Sequence, residues 1–121
     1  VNCAGLCEFG ALMGGPRLPI FKWINAATGW ELSNESYLVV GERIETLRQA
    51  FNAREGVGPF QLPLRLQGEP PLSSGPLKGV TLNMSDLSRE FYEELEWDPR
   101  TGVPRKEALE RLGLEDVVKA L

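Results

Sequence analysis

Between Ser33 and Gly56 the apolar positions Tyr37, Val40, Ile44, Leu47 and Phe51 step by three and four residues, the spacing of one face of an α-helix. Ser33 is placed to cap its start, Glu35 falls in the first turn, where the helix dipole favours an acid, and Gly56 supplies a stop. The opposite face carries Glu42, Arg43, Glu45, Arg48, Arg54 and Glu55, which reads as a solvated, ion-paired surface; docking against another domain is the alternative. A shorter helix is expected over 20–27, with Ile20, Trp23, Ile24 and Ala27 as a buried stripe, Pro19 at the first turn and Gly29 as the stop.

Further along, Ser85 is placed to cap a helix running to about Leu95 with Leu87, Phe91 and Leu95 on one face. A turn follows over Trp97-Asp98-Pro99-Arg100-Thr101-Gly102. Pro104 then opens a helix that carries Ala108, Leu109 and Leu112 and ends at Gly113, and Leu114 to Leu121 forms a last short helix.

Two stretches break this periodicity. From Gly10 to Pro19, glycine and proline punctuate the chain, so a loop is expected. Residues 56–79 hold five prolines and five glycines in 24 positions, a density at which no regular element is expected. Leu62, Leu64, Leu66, Leu72 and Leu77 give that stretch apolar anchors, so it reads as an extended strap wrapped over a surface rather than a free linker. The expected class is all-α: one irregular helical domain over residues 1–121, with a long Pro/Gly-rich extended strap at 56–79.

Composition narrows the partners. The 121 residues suffice for one domain with a core. With 13 basic against 17 acidic residues and no basic stripe, a nucleic-acid surface is disfavoured. No run of eighteen apolar residues crosses a membrane, and no basic-then-apolar leader opens the chain, so a cytoplasmic protein is expected. Asn34-Glu35-Ser36 and Asn83-Met84-Ser85 match the glycosylation sequon, and both read as chance. The chain opens at Val1 and reaches its cysteines at once, which reads as an excised C-terminal piece of a larger protein.

Distinctive chemistry is concentrated in Asn2-Cys3-Ala4-Gly5-Leu6-Cys7-Glu8-Phe9-Gly10. Cys3 and Cys7 are four apart, which on a helix puts both on one face. Two thiolates are half of a metal site, since iron-sulfur clusters and structural zinc need about four ligands. The chain has no histidine and only two cysteines, so a metal held here must be shared with another polypeptide segment. The other reading is packing, because cysteine is among the most buried residue types. A redox pair is the weakest option: no Lys, Arg or His stands near in sequence to lower a thiol pKa.

Nothing else reads as catalytic. Gly14-Gly15 fits neither phosphate-binding fingerprint. Without histidine, and without a serine beside a base, no triad can be drawn, and Glu93, Glu94 and Glu96 read as helix surface. From the residues alone, a free-standing helical interaction module with no catalytic role stays open.

The ordered set of short pieces nevertheless resembles one family. Gly5-Leu6-Cys7, Ala27-Thr28-Gly29, Gly41-Glu42-Arg43-Ile44 and Ala50-Phe51-Asn52-Ala53-Arg54-Glu55-Gly56 come first. Leu62-Pro63-Leu64-Arg65, Phe91-Tyr92, Trp97-Asp98, Gly102-Val103-Pro104 and Leu112-Gly113-Leu114 follow. Together they resemble the C-terminal part of the aldehyde:ferredoxin oxidoreductases, the tungstopterin enzymes, over essentially the whole chain. The resemblance implies oxidation of an aldehyde to a carboxylic acid, with electrons passing from tungsten (or molybdenum) on a bis-molybdopterin through a [4Fe-4S] cluster to ferredoxin.

By the same resemblance, an Asp-x-x-Gly-Leu-Cys motif matches Asn2 through Cys7. It implies Cys7 as a cluster ligand and Asn2, Gly5 and Leu6 as pterin contacts, with the other three cysteines on an earlier segment. Asn2 stands where the family pattern has aspartate, which removes a charge from that position while keeping an amide oxygen acceptor. Cys3 matches no required ligand, no catalytic residue falls in this chain, and the partners are the remaining domains of the same enzyme. The isolated chain is expected to be inactive and to hold no cofactor by itself.

Overall fold

The computed structural model describes residues 5–14, 18–59 and 61–121. Among them are α1 (Glu8–Gly14), α2 (Ile20–Thr28), α3 (Asn34–Arg54), α4 (Met84–Glu94), α5 (Lys106–Arg111) and α6 (Glu115–Val118), with a 3-10 helix at Leu64–Gln67. No strand forms among the described residues; two isolated bridges join Leu72 to Lys78 and Trp97 to Pro104. The all-α class is borne out. The chain divides into two units, Val1–Gly41 and Glu42–Leu121, with the boundary inside α3.

In the first unit the helix ends are set by local chemistry. Gly29 takes φ 74° and donates its N–H to the Asn25 carbonyl at 2.8 Å, closing α2 where the sequence predicts. Ser33 caps α3, its hydroxyl accepting from the Ser36 N–H at 3.2 Å. Tyr37 is the buried residue here: it stacks on Phe21 with ring centroids 4.7 Å apart, and its hydroxyl donates to Asn25 at 2.6 Å. Asn25 also donates to the Leu32 carbonyl at 2.9 Å, so one amide side chain ties α2, the connecting loop and α3 together.

Two expectations fail in this unit. The stripe Ile20, Trp23, Ile24, Ala27 is only partly covered: Ile20 and Ile24 are half-buried, Ala27 is exposed and Trp23 is 50% exposed. The half-buried face also takes in Phe21 and Asn25, whose side chains reach Tyr37. The loop expected over 10–19 begins as helix: α1 runs to Gly14, where a hydrogen in place of a side chain leaves room for Leu18 to fold back.

In the second unit the core is made of Thr46, Ala50, Tyr92, Trp97, Ala108, Leu109 and Leu112. The stripe expected on α3 is rotated: Val40 and Ile44 are half-buried, while Leu47 and Phe51 stand exposed. The buried positions of this part of α3 are the small ones, Thr46 and Ala50, and the Trp97 indole comes close enough to Thr46 for its Nε1 to donate to Oγ1 at 3.4 Å. Tyr92 and Phe91 both lie 5.8 Å or a little more from their aromatic neighbours around Trp97, Phe91 meeting it edge-on.

Helix α4 starts two residues earlier than expected, capped by Asn83 in place of Ser85, the Asn83 side chain accepting from the Asp86 N–H at 3.2 Å. Ser85 lies inside it. The inward residue is Tyr92, while Leu87 and Phe91 of the expected face are about half exposed or more. The turn after it forms as read: Asp98 Oδ1 accepts from the Arg100 N–H at 3.0 Å, the Thr101 N–H at 2.8 Å and the Thr101 hydroxyl at 2.8 Å. Ala108, Leu109 and Leu112 are fully buried on the α5 segment, as the spacing predicts.

The stretch 56–79 is less extended than its composition suggests. Its prolines flank the 3-10 helix instead of preventing it: Pro63 supplies the N-cap position, and Gly68 ends the helix at φ 83°. The following residues fold back on themselves, with the Gly79 N–H donating to the Leu72 carbonyl at 3.0 Å and the Leu82 N–H to the Gln67 carbonyl at 2.8 Å. Leu64, Leu66 and Leu77, expected as anchors, are each more than 60% exposed.

Candidate functional site

The region singled out by its chemistry begins with Gly5 in a turn at φ 71°. That left-handed backbone favours glycine, and a side chain there would point into open space, so conformation rather than crowding is the reason for the residue. Leu6 follows, half-buried, and then Cys7, exposed and with a free thiol. The Cys7 carbonyl accepts the Ala11 N–H at 3.0 Å, the first bond of α1, so Cys7 sits at the residue before the helix rather than on it. Asn2 and Cys3 lie outside the described residues, as does Gly15 of the Gly14-Gly15 pair.

The donor set can be judged directly. Among the described residues, no three or more His, Cys, Asp or Glu side chains come together as a metal site. Cys7 therefore offers one sulfur with solvent access and, among the described residues, without co-ligands. This fits a shared cluster, in which one thiolate from this chain completes a set held mainly elsewhere. It does not fit a self-contained zinc or iron-sulfur site.

The charged groups of the second unit do other work. Arg111 Nη2 meets Glu42 Oε1 at 2.6 Å and Glu96 Oε2 at 2.7 Å, and its Nε donates to Glu96 at 2.9 Å. The hydrogen bonds to Glu42 and then to Glu96 raise the guanidinium pKa further above its already high value, so it stays charged. Glu96 holds φ 57° just past α4, where the Trp97 N–H donates to the Tyr92 carbonyl and the Glu96 N–H to the Glu93 carbonyl. A glutamate in that left-handed position is unusual, and its ion pair with Arg111 holds the side chain in place. Glu93 and Glu94 are exposed.

Sequence reasoning passed over the residues beside Cys7. Phe9, Leu12 and Met13 of α1 are 80%, 72% and 90% exposed, although their spacing of three and four was there to be read.

Comparison with known proteins decides the family. Residues 1–114 match the family described as "Aldehyde ferredoxin oxidoreductase, domains 2 & 3". The chain belongs to the aldehyde ferredoxin oxidoreductase family. The tungsten-containing aldehyde ferredoxin oxidoreductase of Pyrococcus abyssi is 35% identical over 121 residues, covering 98% of this chain. That of Pyrococcus furiosus is 34% identical over 119 residues, covering 96% of it. A second protein of the latter organism, "Aliphatic sulfonate oxidoreductase, WOR-like subunit", is 31% identical over 122 residues and covers 93%. The chain spans 19% of the length of each of these three relatives. No solved structure gave a significant match. No helix among the described residues is long and apolar enough to cross a membrane.

Proposed function

We propose that this chain is the C-terminal domain of a tungsten- or molybdenum-pterin aldehyde:ferredoxin oxidoreductase, in which Cys7 is one ligand of a [4Fe-4S] cluster and Asn2, Gly5 and Leu6 line the pterin. The observation that carries the reading is the exposed Cys7 thiol, which follows the Gly5 turn and has no co-ligands within the described residues. Family membership adds its weight: these relatives are named as tungsten-containing enzymes.

In this reading the bound cofactors supply the two-electron oxidation of the aldehyde and the onward transfer to ferredoxin. The chain's own part is positional. Gly5, free of a Cβ and held at positive φ, lets the backbone run close to a flat heterocycle. Cys7 presents its sulfur from the residue before α1, where the backbone is pinned by the first helical hydrogen bond. Asn2 offers an amide oxygen and an amide N–H₂ to a ring edge in place of a carboxylate.

The test is Cys7→Ser and Cys7→Ala in the full-length parent enzyme, purified without oxygen. Iron and acid-labile sulfide content and the electron paramagnetic resonance of the reduced protein are expected to fall or change with both variants. Unchanged iron, sulfide and spectrum in Cys7→Ala would sink the ligand role.

A further inference from the structure

The stretch 56–79 carries leucines that the core of the second unit does not use. Leu62 is half-buried and Leu64 is 62% exposed, yet both line one cavity, together with Met84 of α4. Its volume is about 680 Å³, within the range of small-molecule sites, and every described lining residue belongs to the second unit. Ser85, Ser88, Tyr92 and Arg100 line the same cavity. Each of these four side chains ends in a hydrogen-bond donor, and among the described residues none of those donors has a protein partner. Tyr92 is the telling one. It is only 9% exposed, yet its hydroxyl is not sealed away, since no fully buried side-chain N or O among the described residues lacks a partner. A phenol this buried ordinarily finds a hydrogen-bond partner, and the cavity is where that partner has room.

Charge narrows the ligand. Arg100 is the one ionised side chain among the described lining residues. The two acids that adjoin the lining segments are engaged: Asp86 pairs with Arg89 at 3.0 Å, and Asp98 Oδ1 accepts from the Arg100 and Thr101 amides and the Thr101 hydroxyl. The cavity therefore presents one positive charge, three hydroxyls and an apolar wall. We propose that it binds an aliphatic carboxylate, with the head on Arg100 among the hydroxyls of Ser85, Ser88 and Tyr92, and the tail against Leu62, Leu64 and Met84. One guanidinium matches one negative charge and offers a planar carboxylate two parallel donors. A phosphate dianion would leave a charge unmatched, and a neutral alcohol would leave the guanidinium without a counter-charge. None of these residues is shared with the set proposed around Cys7.

The experiment uses the full-length parent enzyme and a six-carbon carboxylate carrying a photoreactive diazirine, with the matching alcohol as the uncharged control. Irradiation is expected to label peptides spanning 59–67 or 84–100, located by mass spectrometry, and an excess of plain hexanoate is expected to suppress that labelling. Arg100→Gln, at an exposed side chain, is expected to cut it about tenfold, and Tyr92→Phe, which keeps the ring, by a smaller factor. Labelling confined to other parts of the polypeptide overturns the proposal. Equal labelling by the alcohol overturns it too, as does an Arg100→Gln protein that labels like the parent.

Discussion

Arg111 grips Glu42 with both terminal nitrogens, at 2.6 and 3.2 Å, although the two residues lie 69 positions apart in the chain. The same guanidinium holds Glu96, so α3, the end of α4 and α5 meet at one cation. Arg111 is 44% exposed, which screens these charges and limits their worth. Arg111→Met is therefore expected to lower the unfolding free energy by only about 1 kcal/mol, with a smaller loss in high salt. Arg111→Lys should not restore it, because an ammonium cannot serve both carboxylates in the fork geometry. Urea titrations at two salt concentrations give both results.

Burial decides the next case. Leu112 is fully buried, and its carbonyl accepts from Arg43 Nε at 2.6 Å, whereas Leu77 is 62% exposed. Leu112→Ala is expected to cost about 2–5 kcal/mol, since it leaves a cavity, and Leu77→Ala no more than about 0.5 kcal/mol. Equal effects in equilibrium unfolding would mean that the core is not where the structure puts it.

Gly68 is constrained twice. Its φ is 83°, and a Cβ there would stand 2.5 Å from the Val80 carbonyl oxygen, a backbone atom with little room to move. Gly68→Ala is expected to cost about 2 kcal/mol locally. The readout is amide exchange at Leu82, whose N–H reaches the Gln67 carbonyl at 2.8 Å and should lose its protection.

Acid should loosen the turn at Asp98. The Thr101 hydroxyl, followed by the Thr101 and Arg100 amides, holds the Asp98 carboxyl below its ordinary 3.8. A carboxylate with a lower pKa folded than unfolded contributes stability that is present above the unfolded value and lost as pH falls through the folded one. Thermal unfolding is thus expected to show a contribution fully present at pH 5 and fading below about pH 4, which Asp98→Asn removes. A variant with the same acid dependence as the parent would refute the assignment.

Much of this was open to a reader of the sequence. Helices α2 to α6 are legible from period and punctuation, Gly29 and Ser33 acting through local backbone chemistry that needs no distant partner, although α5 opens at Lys106 behind Arg105 and Pro104, expected to open it, is bridged to Trp97 instead. The Asp98 turn is legible for the same reason. The candidate site was legible as a motif, Gly5-Leu6-Cys7, whereas the turn at Gly5 and the place of Cys7 before the helix came from the structure.

What only the tertiary structure decided is which side of α3 and of α4 faces in, whereas the buried side of α5 was open to the sequence. On α3 the sequence favours Leu47 and Phe51, yet Thr46 and Ala50 are buried; at Thr46 the reason is Trp97, whose indole N–H reaches its hydroxyl, and no propensity encodes that neighbour 51 positions away. The same holds for α4, where Tyr92 is buried in place of Phe91, and for Arg111, whose partners are assembled by the fold alone. At Cys7 the sequence determined the chemistry, a thiol short of ligands. Its setting, exposed before a helix that buries nothing, came from the structure, because exposure depends on what else the chain can fold over it.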